Sequence, residues 1–241
     1  SMESLLPKYN DGHLAIVHAA GAPHPTRSHF DAQDFMESAA PGDKKVADGW
    51  LNRYMHHFAD QEVTTFRGVS TSRALPRALE GKAPALSVGD LLAADMDADA
   101  RTMFQSMYDT ETNALLSGTS KELFDAMRRL KEADPSKYQP AEGIRYPMGN
   151  QGAGFGRSLR TVAQLIKADL GLEIAFVDIG GWDTHANQGG VDPQNGQLPG
   201  RLQGFSQALA AFYKDLGDRM DDVVVLTMSE FGRTARENGN V

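Results

Sequence analysis

The strongest constraint on the fold is an alternation of helix and strand patterns in the last third of the chain. The periodicity predicts a helix from residue 156 to about 170, a strand over 173–179, a helix over 202–216 and a strand over 223–228. Large apolar residues recur at three- and four-residue steps along the second helix, and this stripe can cover a sheet: Leu202, Phe205, Leu209, Phe212 and Leu216. The last strand opens with four consecutive apolar residues, as in a strand buried on both faces. The chain is therefore expected to be an α/β protein with a mostly parallel sheet flanked by helices.

Earlier patterns predict further elements. We expect a strand at 14–17, a helix over 29–39, a helix that begins with Asp48 as its N-cap, and a strand at 63–69. Two more helices are expected between about 97 and 134, where Pro135 ends them, and an ordered loop follows to 156. For 241 residues the simplest organisation is one domain, 1–241, with a helical insertion around 97–150.

Charge and cysteine content narrow the possible functions. The net charge of -8 disfavours binding to nucleic acid, because that affinity comes largely from Lys and Arg beside phosphates. No stretch approaches the roughly 20 apolar residues of a membrane span, so none is expected. Without cysteine, any metal would be held by His, Asp and Glu.

The most informative motif follows the strand at 173–179 and reads Gly180-Gly181-Trp182-Asp183-Thr184-His185. We call residues 180–185 the Trp loop. Ligands of parallel sheets bind at the carboxyl ends of strands, where Asp183 and His185 would lie. Carboxylate oxygen and imidazole nitrogen together suit zinc, manganese or iron. The alternative is an ordinary loop in which Asp183 accepts backbone hydrogen bonds and His185 donates one.

A second motif follows the last predicted strand. We call residues 229–233, Ser-Glu-Phe-Gly-Arg, the Glu segment. Glu230 is a candidate metal ligand or general base, and Arg233 is a candidate clamp for an anionic oxygen. The alternative is that Glu230 and Arg233, three residues apart, pair with each other.

A third candidate lies in the loop after the first predicted strand. Ser28 could act as a nucleophile, with Arg27 holding the leaving anion. The alternative, favoured from sequence alone, is that Ser28 caps the following helix. We interpret His18 and His29 as structural histidines.

Taken together, the motifs resemble a known family. Arg27-Ser28-His29-Phe30, Gly49-Trp50-Leu51, the Trp loop and the Glu segment resemble the bacterial family catalogued as domain of unknown function 1501. The resemblance covers nearly the whole chain. That family is grouped with the alkaline phosphatase/sulfatase-like superfamily, which this chain therefore also resembles. It implies an alkaline phosphatase-like fold, incomplete at both ends here, and hydrolysis of phosphate or sulfate esters. Ser28 would match the nucleophile, and Asp183 with His185 a metal-binding pair.

The resemblance also has a departure and further implications. Sulfatase-like enzymes carry Asp-His-Gly where this chain has Glu230-Phe231-Gly232, so an aromatic ring replaces one nitrogen ligand. The implied cofactor is a divalent metal ion, with zinc, manganese and calcium as candidates, and the implied partner is a small-molecule or polysaccharide anionic ester. Family members commonly carry a twin-arginine leader, which implies export to the periplasm.

Two main hypotheses result. In the first, a metal held by Asp183, His185 and Glu230 supports attack by Ser28 or water, while Arg27 or Arg233 stabilises the anion. In the second, the protein is a non-catalytic cell-envelope binding or assembly protein with a degraded metal site. A weaker third hypothesis is carbohydrate recognition through Trp182.

Overall fold

The computed structural model describes residues 2–59, 64–88, 128–129, 138–148, 152–186, 188–189 and 196–233. The α-helices described in full are α1 (Leu6–Asn10), α2 (His29–Ser38), α3 (Trp50–His57), α4 (Ala153–Lys167) and α5 (Gln197–Leu216). The strands are β1 (Gly68–Ser70), β2 (Leu86–Ser87) and β3 (Ile174–Phe176), and short 3-10 helices form at Glu3–Leu5, Arg77–Leu79 and Gly217–Asp222. Apart from residues 128–129, which are helical, the helices predicted between 97 and 134 lie outside the described residues.

The three strands form one small open sheet in the order β2-β1-β3, and both pairings are parallel. Val69 of β1 is in register with Leu86 on one side and with Ala175 on the other. β1 overlaps the strand predicted at 63–69, and β3 lies inside the strand predicted at 173–179. The α/β class with a parallel sheet and helices is therefore confirmed.

The chain divides into two compact units. The first comprises Ser1–Lys45, Gln139–Ala163 and Val177–Val241, and the second comprises Val46–Tyr138 and Gln164–Phe176. The parallel sheet belongs to the second unit. Every residue that the sequence analysis singled out for chemistry belongs to the first unit: Arg27, Ser28, Asp183, His185, Glu230 and Arg233. The contacts of the candidate site described below therefore all lie within the first unit. The organisation of residues 1–241 as one domain stays a prediction.

The core of the second unit is built around β1. Phe66 and Val69 pack with Val88 and Leu165 in one apolar cluster. In another, Met55 of α3 packs with Leu79 and Ala83. Each large apolar side chain buried in this way contributes about 1.5–3 kcal/mol to folding.

A buried amide joins α3 to the segment after the second 3-10 helix. The Asn52 Nδ2 donates to the carbonyl oxygens of Leu79 and Ala83, at 2.7 and 2.9 Å, and its Oδ1 accepts from the Ala83 amide at 2.9 Å. Asn52 is only 1% exposed. Because these backbone groups are buried with it, this one side chain satisfies three groups that water does not reach.

Two predicted strands are wrong for the described structure. Neither 14–17 nor 223–228 forms a strand, and their side chains are largely exposed, with Val17 at 80% and Val224 at 94%. Val223 does have extended dihedral angles, at φ -118° and ψ 122°. A run of apolar β-branched residues favours a pleated, buried surface. It forms a strand only where a neighbouring strand supplies hydrogen bonds.

Within the described residues, the predicted helices form at the expected places, but the cap of α3 and the buried face of α5 differ from the predictions. Ser28 caps α2 as expected, but α3 is preceded by Gly49 with no side-chain cap, because Asp48 forms an ion pair with Arg53 at 2.9 Å instead. In α5 only Phe212 and Leu216 of the predicted stripe are buried, and small residues make up much of the rest of the buried face: Gly204, Ala208 and Ala211. A small residue lets backbones approach closely, and a Cβ added at Gly152 would lie 2.9 Å from the Gly204 Cα. No described helix is long and apolar enough to cross a membrane.

Candidate functional site

The Trp loop lies on one face of helix α5. The Trp182 ring meets the Phe205 ring edge to face, with centroids 6.1 Å apart, and Phe205 in turn stacks on Phe155 at 5.5 Å. One residue earlier, a Cβ added at Gly181 would lie 2.2 Å from the Nη1 of Arg201. Arg201 and Phe205 are four residues apart and therefore share a helix face. That face holds Gly181 and Trp182, two consecutive residues of the loop.

Arg233 connects the Glu segment to the Trp loop. Its guanidinium donates to the carbonyl oxygen of Thr184 at 3.1 Å and to that of Trp182. The same group lies 5.6 Å from the centre of the Phe231 ring. The expected alternative, an ion pair between Glu230 and Arg233, does not form in the described residues. The two motifs, 51 residues apart at the Trp182 contact, are instead joined through backbone carbonyls.

Within the Trp loop, the two predicted ligands face each other. The Asp183 Oδ2 and the His185 Nε2 are 3.0 Å apart, and both side chains are well exposed, at 45% and 85%. Asp183 thus has the imidazole as a partner rather than the backbone amides of the ordinary-loop alternative. A carboxylate and an imidazole held side by side at an exposed position are available to a ligand from solution.

Glu230 has a partner that sequence reasoning placed among the structural residues. Its Oε1 lies 3.8 Å from the Nδ1 of His29, the first residue of α2. The Phe231 ring also meets the His29 ring, with centroids 6.2 Å apart. The one sequence feature that points to a functional role for His29 is its position next to Ser28 in a motif of the resembled family.

Ser28 and Arg27 lie at the start of the same helix. The Ser28 Oγ accepts a hydrogen bond from the Asp31 amide at 3.3 Å, which makes it the N-cap. Its backbone amide donates to the Thr26 Oγ1 at 3.2 Å. Ser28 is exposed, so capping does not close its hydroxyl off from a ligand. Arg27 is exposed too, and the structure shows no partner for it among the described residues.

An ion pair connects Lys44 to Asp31 in the first turn of α2. Lys44 donates to the Asp31 carboxylate, which lowers the pKa of Asp31 and raises the pKa of Lys44. A lowered carboxyl pKa in the folded state adds stability above the unfolded value of about 3.9, and this contribution is lost as the pH falls through the folded pKa. A raised Lys pKa adds stability below about 10.4, and this contribution is lost as the pH rises through the folded value.

We therefore expect Asp31→Asn to lower the unfolding free energy at neutral pH by a small amount, because the pair is exposed. The difference from the unsubstituted protein should shrink toward zero under acid conditions. Urea titrations across the acid range measure this. Asp218→Asn, at an exposed carboxylate with no partner in the described residues, is the matched control. A pH-independent difference would contradict the assignment.

The donors available for a metal occur as two pairs, Asp183 with His185 and His29 with Glu230. In the part of the chain that the structure describes, no group of three or more His, Cys, Asp or Glu side chains is arranged to hold a metal ion. The donor chemistry, oxygen and imidazole nitrogen, does fit a divalent cation. Arg233 brings the segments that carry the two pairs together.

Comparison with known proteins gives one family. The model of the family described as "Protein of unknown function (DUF1501)" matches residues 15–241. No curated protein and no solved structure matches the chain.

Proposed function

This chain belongs to the DUF1501 family of proteins of unknown function, and from the contacts of its own residues we propose that it is a metal-dependent hydrolase of phosphate or sulfate esters. The proposal includes the alkaline phosphatase-like fold of the superfamily that the sequence resembles. Export to the periplasm is a further part of it and rests on the same resemblance.

The observation that carries the proposal is the attachment of the Glu segment to the Trp loop by Arg233. Asp183 and His185 are adjacent on the loop, and Glu230 is three residues before the attachment point. One guanidinium thus joins the two segments that carry the three proposed metal ligands. Since no three donors converge in the described residues, we propose that Glu230 shifts toward the Trp loop when a cation binds.

A divalent cation, bound by Asp183, His185 and Glu230, would supply Lewis acidity toward an ester oxygen and offset developing negative charge. The remaining steps belong to the chain's own residues. Ser28 presents an exposed hydroxyl at the first turn of α2, beside His29, and is the proposed nucleophile unless a water attacks instead. Arg27, exposed and without a partner in the described residues, is available to an anionic oxygen of the substrate.

The direct test is hydrolysis of aryl phosphate and aryl sulfate esters by the full chain. The protein is stripped with chelator and then supplied separately with zinc, manganese or calcium. We expect release of the aryl alcohol that depends on added metal and stops when chelator is returned. No hydrolysis of either ester with any of the metals would overturn the proposal.

Arg233→Gln tests the attachment itself. Gln is shorter than Arg, carries no charge and lacks the planar guanidinium fork that donates to the two carbonyls. We expect kcat/KM to fall by roughly 100-fold, because displacement of catalytic groups by about 1 Å costs that much. Arg157→Gln, at an exposed Arg of α4, removes the same charge and should leave kcat/KM unchanged. Equal activity of the two variants would exclude a role for the attachment.

A second function is favoured by one specific observation. The described residues lack a three-donor group, and the Phe231 ring contacts both His29 and Arg233. Both features fit a binding or assembly protein of the cell envelope that keeps the fold without catalysis. Such a protein would bind anionic esters and release no product, so the hydrolysis assay separates the two functions.

A further inference from the structure

Arg201 packs beneath the Trp loop in an unusual way. The Cβ position of Gly181 lies 2.2 Å from the Nη1 of Arg201, 2.6 Å from its Cζ and 2.8 Å from its Nη2. The guanidinium thus fills the space that a side chain at position 181 would take. Gly181 also has a φ of +86°, which L side chains rarely adopt. Position 181 must be glycine for Arg201 to lie there.

The hydrogen bonds of this guanidinium are weak and incomplete. Nη1 donates to the Gly180 carbonyl at 3.5 Å and Nη2 to the Gln197 Oε1 at 3.4 Å. Both distances exceed the usual 2.7–3.2 Å range. The buried Nε has no acceptor in the described residues. A guanidinium has five N–H donors, so most of the donors of Arg201 are unused.

The charge of Arg201 is also uncompensated. No carboxylate forms an ion pair with it in the described parts of the chain. The nearby acidic groups face imidazoles instead, Asp183 facing His185 and Glu230 facing His29. Arg233 likewise has carbonyls and an aromatic ring as its partners. Two positive charges therefore lie against one loop, and no carboxylate of the described residues is bound to either.

We propose that Arg201 is a second anion-binding residue of this site, besides Arg27, and holds a phosphate or sulfate group of the ligand. The planar fork of a guanidinium matches the oxygen spacing of such groups and donates two parallel hydrogen bonds. Arg201 is partly exposed, so a dissolved anion can approach it. The inference rests on the proposed function for its ligand class, and it applies equally to an esterase and to a binding protein.

Anion binding by the full chain tests this inference. Inorganic phosphate and inorganic sulfate are titrated calorimetrically in the presence of chelator, so that no metal contributes to binding. Phenyl phosphate and phenyl sulfate are titrated in parallel to distinguish binding of a free anion from binding of an ester. Arg201→Gln should weaken binding by about 10- to 100-fold, because a hydrogen bond to a charged group is lost. Arg201→Lys, which keeps the charge and loses the fork, should fall between Gln and the unsubstituted protein. Arg157→Gln should bind normally.

A glycine pair gives an independent probe that leaves Arg201 in the chain. Gly181→Ala places a Cβ on the guanidinium and should weaken phosphate binding as Arg201→Gln does. Gly180→Ala meets nothing within 4 Å and should not. Phosphate should raise the thermal midpoint of the unsubstituted protein and of Gly180→Ala, but not that of Arg201→Gln.

The outcomes separate this inference from the hydrolase proposal. Phosphate binding that depends on Arg201, without any ester hydrolysis, supports the anion site and overturns the hydrolase. Metal-dependent hydrolysis that is unchanged in Arg201→Gln supports the hydrolase and overturns the anion site. The anion site is also overturned if Arg201→Gln and the unsubstituted protein bind phosphate with equal affinity, or if the unsubstituted protein binds no anion.

Discussion

Replacement of Asp183 by Asn is expected to lower metal-dependent ester hydrolysis by at least about 100-fold in kcat/KM, since removal of groups that merely support metal ligands already costs 10- to 100-fold. Asn keeps the shape of Asp and removes the negative charge that would hold the cation. It also removes the carboxylate oxygen that lies 3.0 Å from the His185 Nε2. The measurement is the rate of aryl ester hydrolysis as a function of metal concentration.

The control for this variant lies five residues away. Asp178→Asn makes the same chemical change at an exposed carboxylate with no partner in the described residues. It should retain the kcat/KM of the unsubstituted protein. A hydrolysis rate of Asp183→Asn equal to that of Asp178→Asn, at every metal concentration, would remove Asp183 from the proposed chemistry.

Asn52→Leu is expected to destabilise the fold strongly. Leu has a similar volume but cannot replace the hydrogen bonds to the two carbonyls and the amide that Asn52 satisfies. Each buried backbone group left without a partner costs about 1–3 kcal/mol. The change should therefore lower the unfolding free energy by about 3 kcal/mol or more. The midpoint and slope of a urea titration give the value.

An exposed position supplies the comparison for that stability change. Gln207→Leu introduces the same type of side chain on the exposed surface of α5. Its effect should stay within about 0.5 kcal/mol, as is usual for surface substitutions. A loss for Asn52→Leu as small as that for Gln207→Leu would show that the buried amide is not what stabilises the 79–83 segment.

The elements that could be predicted from sequence are those specified by local chemistry. Ser28 caps α2 because a hydroxyl before an apolar-periodic segment satisfies free helix amides. β3 and α5 were located because their patterns extend over several residues. The run at 223–228 was misassigned because its apolar pattern is equally strong, while pairing depends on residues distant in sequence. The Asp48 cap failed because a competing partner, Arg53, lies within reach.

The candidate site was only partly accessible from sequence for the same reason. The motifs indicate Asp183, His185 and Glu230. Asp183 and His185 are local partners of each other, but the partner of Glu230, His29, is set by a tertiary contact. Nothing in the pattern at 229–233 says that Arg233 donates to carbonyls rather than to Glu230. Arg201 belongs to no motif, and its contact with Gly181 appears only when α5 and the Trp loop pack together.

In the proposed function, the Trp loop and the Glu segment supply ligands to one cation. The most direct measurement is a titration of the chelator-stripped full chain with manganese, followed by electron paramagnetic resonance of the free ion. We expect one bound ion per chain, with the affinity reduced at least about tenfold in both Asp183→Asn and Glu230→Gln. Manganese binding that is lost in Asp183→Asn but unchanged in Glu230→Gln, or unchanged in both, would contradict a shared site.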